Sequence, residues 1–258
     1  MSATDVAVRA RGLVKSFGER VAVDGLDLEA AAGEVFGLVG PDGAGKTTAF
    51  RLLCGVLRPD AGEMTVAGHD VRAEPEAVKR RIGYLSQAFS QYTHLTVWEN
   101  LEFTADLYGV PDGEWQDRAG ELLEASRMSA FTARLAGNLS GGMKQKLALS
   151  CSLLHTPEVV FLDEPTTGVD PVSRRDFWSI LYDLPSRGVT ILVSTPYMDE
   201  AERCHRVAFM AGGRIMASGT PRELKDAIRE DGAEGEPGLE AVFSRLAARA
   251  GEGDLRDG

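Results

Sequence analysis

Short apolar runs alternate along this chain with longer stretches of helical spacing. Val35–Val39 and Val159–Leu162 are apolar throughout, Ile82–Gln87 is apolar up to a polar end, and Thr190–Thr195 has an apolar middle. That is the pattern of strands buried on both faces of a parallel sheet. Val6–Ala10 and Leu13–Phe17 flank Gly12, and Val21–Leu28 alternates apolar with polar residues, as a half-buried strand does. Residues 6–36 therefore predict a strand pair. Met64–Asp70 predicts a short strand and turn after the turn-rich Arg58–Glu63. Val207–Met210 and Arg214–Ala217, joined through Gly213, predict a hairpin. Helical spacing covers Thr48–Cys54, Glu99–Leu107, Glu114–Ser126, Leu147–Leu154 and Arg174–Leu184. Thr96 followed by Glu99 has the form of a capping box. Asp199–Arg203 starts another helix, one more begins near Thr220, and Leu239–Ala250 fits a last amphipathic helix. Glu230–Gly238, rich in Gly, Glu and Pro, predicts a mobile segment.

Composition narrows the class. With 258 residues and 43% hydrophobic content, one large domain or a core with a subdomain is expected. No apolar run approaches the roughly 20 residues that span a bilayer. Met1–Ala10 is polar and carries Asp5, unlike a secretory leader, so a cytoplasmic location is expected. The net charge of −11 disfavours broad binding to nucleic acid or to an anionic membrane surface. Any membrane association should run through a protein partner. Cys54, Cys151 and Cys204 are scattered in apolar or helical contexts, an arrangement of inert core thiols rather than a disulfide framework or zinc site.

Candidate chemistry begins at Gly40-Pro41-Asp42-Gly43-Ala44-Gly45-Lys46-Thr47, which matches the P-loop pattern at every fixed position. A predicted strand precedes it and a predicted helix, opening at Thr48, follows. Glycines let backbone N–H groups converge on a phosphate chain, and the helix turns its positive end to the same anion. Lys46 reaches the outer phosphates and the Thr47 hydroxyl is placed to hold Mg²⁺. Downstream, Val159–Leu162 runs into Asp163 and Glu164. Carboxylates at the C-terminal end of a central parallel strand face the ligand crevice. Asp163 is placed to hold Mg²⁺ through water, and Glu164 to polarise an attacking water as general base.

Other positions are less determined by residue type. Gln87 ends a predicted strand and fits either an amide near the metal or a solvated loop. Phe17 fits a base-stacking platform or a core position, and aromatic area favours the core. Ser140-Gly141-Gly142 opens an apolar helix, as an anion-seeking N-terminus or as a plain cap. Trp98, Phe103 and Tyr108 fit the core of a helical insertion or an exposed docking face.

Taken together and in this order, the motifs resemble the nucleotide-binding subunit of ATP-binding-cassette transporters. The resemblance covers about residues 5–225, and the Leu139-Ser140-Gly141-Gly142 signature between P-loop and Asp163-Glu164 is its most specific part. It implies an α/β fold: a RecA-like P-loop NTPase core with an antiparallel β subdomain and a helical subdomain at about 88–155. Residues 1–225 form the cassette, and 226–258 an acidic tail with a short helix. It also implies that Phe17 stacks on adenine. Gln87 touches Mg²⁺ and links to the transmembrane partner, and Gly168–Pro171 crosses a dimer interface. ATP lies between one chain's Gly40–Thr48 and the other's Ser140–Gly142. Closure and hydrolysis then drive an integral-membrane permease, with the cassette peripheral on the inner face of the membrane.

The stretches Leu139–Lys146, Tyr197–Glu202 and Leu239–Phe243 look like the bacterial subgroup that exports drugs, lipids or polysaccharides. Two positions depart from the family pattern. Pro196 stands where the family carries a switch histidine, and none of His69, His94, His155 or His205 occupies that place. Proline has no ring nitrogen for a γ-phosphate and no backbone N–H. Asp42, where Asn is commoner, adds negative charge to the phosphate loop. Both departures resemble the first cassette of tandem two-cassette exporter ATPases. The expectation is a slow hydrolytic site paired with an unlike cassette; the alternative is a weakly hydrolytic or non-hydrolytic regulatory cassette.

Overall fold

The computed structural model describes residues 6–228 and 238–254. In chain order the elements are β1 (Val6–Phe17), β2 (Arg20–Ala31), β3 (Val35–Val39), α1 (Lys46–Leu53), β4 (Ala61–Val66), β5 (His69–Asp70), α2 (Pro75–Lys79), β6 (Ile82–Leu85), α3 (Val97–Tyr108), α4 (Glu114–Ala125) and α5 (Gly141–Leu153). They continue with β7 (Val159–Asp163), α6 (Pro171–Asp183), β8 (Thr190–Thr195), α7 (Met198–Ala201), β9 (Arg206–Ala211), β10 (Arg214–Gly219), α8 (Pro221–Asp226) and α9 (Leu239–Asp254).

Two sheets organise the chain. A six-stranded sheet runs β10-β9-β3-β8-β7-β6 and a four-stranded sheet runs β2-β1-β4-β5. The first is parallel from β9 to β6, with β10 as an antiparallel edge. Every residue of β3, β7 and β8 is buried, which is why their middles are apolar without the alternation of a half-exposed strand. The second sheet is antiparallel. Gly12 does not divide two strands; it lies inside β1 at φ 57°, where the pairing with β2 shifts register between Ala10 and Leu13. A glycine takes that conformation without the clash a Cβ would bring.

Local chemistry sets the helix ends. Thr96 and Glu99 form the reciprocal capping box that starts α3, and Gly109 ends it in the left-handed region. Asp170 caps α6 through the amides of Val172 and Ser173, with Pro171 at the first helical position. Helices α3, α4 and α5 enclose their own apolar cluster around Leu101, Trp115, Leu123 and Leu147. Within it Trp98 lies 5.1 Å from Trp115, whereas Phe103 is exposed and Tyr108 is 38% exposed.

The expected acidic tail is more than a tail. Glu230–Gly238 falls almost entirely outside the described residues, but Leu239 and Val242 of α9 are buried in the cluster over the parallel sheet. Phe243 meets Phe209 of β9 edge-on at 5.5 Å. All three cysteines are buried, and burial pushes each thiol well above its usual range, Cys151 to about 12. Among the described residues no helix is long and apolar enough to cross a membrane.

Candidate nucleotide site

Three adjacent parallel strands deliver the site. The loop from Gly40 leaves β3, Asp163 ends β7, and β8 lies between them. Gly40 donates its amide to the Thr195 carbonyl at 3.2 Å, fixing the loop's entrance to the end of β8. Glycine is required here by packing. A Cβ on Gly40 would lie 2.1 Å from the Met210 carbonyl, and one on Gly45 2.2 Å from the Ala22 carbonyl. Gly43 and Gly45 also take positive φ, 78° and 108°. Helix α1 begins at Gly45 with no side-chain cap and no acid in its first turn. Its first amides therefore remain available to an anion.

Lys46 is buried and threads back through the loop. Its Nζ lies 2.8 Å from the Gly40 carbonyl, 3.0 Å from that of Pro41, and 3.1 Å from Glu164 Oε1. Glu164 is 7% exposed and takes φ 48°. Its amide donates to the Ser194 carbonyl at 3.1 Å and to Ser194 Oγ at 3.0 Å. Its other oxygen accepts from Gln87 Nε2 at 3.1 Å and from Thr167 Oγ1 at 3.4 Å. Beside it, the fully buried Asp163 carboxylate accepts from Ser194 Oγ at 2.7 Å, Thr47 Oγ1 at 3.1 Å and Tyr84 OH at 3.4 Å. Burial and the Asp163 charge push the Tyr84 phenol up to about 12, so it remains a donor.

A cavity of about 270 Å³ opens over this constellation, lined by Phe17, Arg20, Gly43, Gly45, Lys46, Thr47, Thr48 and Glu164. Phe17 is 51% exposed, not core as its aromatic area suggests, because it ends β1 at the cavity mouth. Arg20, one strand turn on, donates to the Gly43 carbonyl at 3.3 Å. Neither Ser140, Gly141 nor Gly142 lines the cavity. Ser140 caps α5 through the Met143 amide at 3.4 Å and is exposed. Gly141 faces open space, whereas a Cβ on Gly142 would strike Ser173 of α6 at 2.5 Å. The triplet thus splits into an outward Ser-Gly face and a packing glycine.

Sequence reasoning passed over Tyr84, Ser194 and Arg20. Ser194 was findable: it pairs with Asp163 across the β7–β8 ladder, and a hydroxyl buried in a central strand needs a partner. Nothing local marks the other two.

The donor set fits hard-cation chemistry. Among the described residues no group of three His, Cys, Asp or Glu side chains converges as a self-sufficient metal site. Thr47 and Asp163, 3.1 Å apart, carry oxygens of the kind Mg²⁺ takes in small number when phosphates complete its shell, and Gln87, bonded to Glu164, carries a further one.

Residues 23–167 match the protein-family model described as ABC transporter. The chain belongs to this family. The ABC chain is 44% identical over 223 residues to the daunorubicin/doxorubicin resistance ATP-binding protein DrrA of Streptomyces peucetius, covering 86% of this chain and 68% of DrrA. It is 40% identical over 220 residues to the Nod factor export ATP-binding protein I of Rhizobium sp. strain N33, covering 85% and 72%. It is 39% identical over 242 residues to YbhF of Escherichia coli K12, a probable multidrug ABC transporter ATP-binding protein. That match covers 94% of this chain, yet the chain spans only 42% of YbhF. A solved ATP-binding subunit of an ABC transporter superposes with a TM-score of 0.83 at 26% identity, covering 93% of this chain and 99% of that one. A nucleotide-free ABC cassette gives 0.77 at 25%, covering 87% and 96%.

Proposed function

We propose that this ABC chain binds and hydrolyses ATP to power export through a separate integral-membrane permease, from the inner face of the membrane. The observation that carries this reading is that Lys46, Thr47 and Glu164 line one cavity at the strand ends, with Lys46 paired to Glu164, Asp163 bonded to Thr47 and Gln87 bonded to Glu164 behind them. The triphosphate takes the amides of Gly43–Thr48 and draws Lys46 away from the Gly40 and Pro41 carbonyls and from Glu164. Glu164, released from that cation but still held by Gln87, can then accept a proton from an attacking water. Thr47, Asp163 and Gln87 would hold Mg²⁺, which when bound would stabilise charge on the transferring phosphoryl group. Phe17 and Arg20 frame the base and sugar side.

Because Ser140 and Gly141 are exposed and do not line their own chain's cavity, they serve a second cassette's nucleotide. Binding ATP closes the pair, and hydrolysis reopens it. Residues 1–225 carry the nucleotide machinery, and α3–α5 pass closure to the permease. Pro196 removes the histidine that reads a γ-phosphate, so the preferred partner is an unlike cassette and this chain's own site turns over slowly. Names of relatives given to drug resistance and Nod factor export support outward transport.

Steady-state phosphate release from the purified chain, before and after Pro196→His, tests the slow-site reading. Slow release accelerated by the change is expected; fast wild-type release unaffected by it refutes the reading. Pro196 also favours a purely regulatory cassette. That alternative requires no phosphate release at all when the permease and an unlike cassette are supplied.

A further inference from the structure

One buried carboxylate has no part in the chemistry above. Glu200, in α7, is fully buried, and an acid so placed is costly unless paired and hydrogen-bonded. Its partners come from different elements. Oε2 accepts from Thr195 Oγ1 at 2.6 Å, at the end of β8. Oε1 accepts from Thr166 Oγ1, two residues beyond Glu164. Arg174, in the first turn of α6, brings Nε to 3.7 Å of the same oxygen. The Arg174 guanidinium also lies 4.2 Å over the Tyr197 ring and 3.8 Å from Asp199. The Tyr197 amide in turn donates to Thr195 Oγ1 at 3.1 Å.

We propose that Glu200 is a positioning residue that locks two segments beside the site to each other. One is the turn Thr195–Met198, which contains Pro196 and whose Thr195 carbonyl holds the entrance of the phosphate loop. The other is the loop 165–171, which leaves Glu164 and leads into α6. A carboxylate is suited to this task because its two oxygens accept from the two sides at once. A histidine at 196 could sense phosphate directly; Pro196 cannot, so here the state of the turn reaches Glu164 through Thr195, Glu200 and Thr166. The lock itself is a property of the chain without nucleotide. Only its consequence for turnover rests on the ATPase reading.

Glu200→Ala leaves Arg174 without its buried acid and risks loss of the fold, so the test uses hydroxyl-to-methyl changes at the two threonines. Hydrogen exchange of the full chain is followed by mass spectrometry in peptides covering 164–171 and 195–201. Thr166→Val is expected to speed exchange about fivefold, the factor from one lost hydrogen bond, in both peptides, although the substitution lies in only one. Thr195→Val does the same from the other side, and Thr166→Ser, which keeps the hydroxyl, restores wild-type exchange. A response confined to the substituted segment, or none, overturns the lock. Adding Mg-ATP to wild type should slow exchange over 40–48. Failure of that protection counts against the nucleotide reading alone, because the comparison of the two loops needs no nucleotide.

Discussion

Glu164 occupies a backbone conformation that a Cβ resists. At φ 48° a non-glycine residue carries strain of about 1–3 kcal/mol. Two bonds from its amide to Ser194 offset that strain. Its side chain pairs with Lys46, the group we propose for the triphosphate. Glu164→Gln should therefore lower phosphate release about 10²- to 10⁴-fold, the usual share of a general base. Affinity for Mg-ATP should hold or rise, because Lys46 loses a competing charge; calorimetry separates the two effects. At this scale the sequence is most readable where function fixes spacing. Gly40–Thr47 and Asp163-Glu164 are local patterns whose chemistry depends on neighbours along the chain. Tyr84 reaches Asp163 from the neighbouring parallel strand β6, and no local pattern marks such an approach. Phe17 was misjudged from its residue type alone because area says nothing about where a strand ends.

Among the elements, α3–α5 are joined to the parallel sheet partly through His155. This half-buried ring follows α5, stacks on Tyr108 of α3 at 3.7 Å and bonds the Ile82 carbonyl of β6 at 3.0 Å. With a carbonyl as acceptor, Nε2 carries the proton in the neutral ring. Burial holds the His155 pKa below 6.5. The folded chain therefore binds its proton less readily than the unfolded chain. The resulting stability is present above pH 6.5 and is lost as pH falls from there towards the lowered value. Urea midpoints measured between about pH 7.5 and about pH 5 should fall more for wild type than for His155→Gln. Equal falls would refute the assignment. Element reading from sequence succeeded where periodicity had room to repeat, as in α3, α4 and the buried strands. It missed α2, whose five residues bury only Val78 and so display no period. It split β1 at Gly12 because a bulge and a turn both favour glycine.

For the molecule as a whole, the readable part was the order of motifs, which gave the α/β plan and the family likeness. What stayed hidden was long-range packing. An acidic, glycine-rich stretch before Leu239 reads as the start of a tail, and nothing in it reports that α9 returns to cover the sheet. Leu239 and Val242 each remain only 1% exposed, and Phe243 closes over Phe209. The proposed nucleotide site ends well before α9, so a cut after residue 225 is a natural way to isolate it. Such a fragment would keep every residue proposed for the nucleotide and lose its roof. Bare apolar side chains from the sheet's far face would meet water together, and light scattering should record self-association that the intact protein escapes.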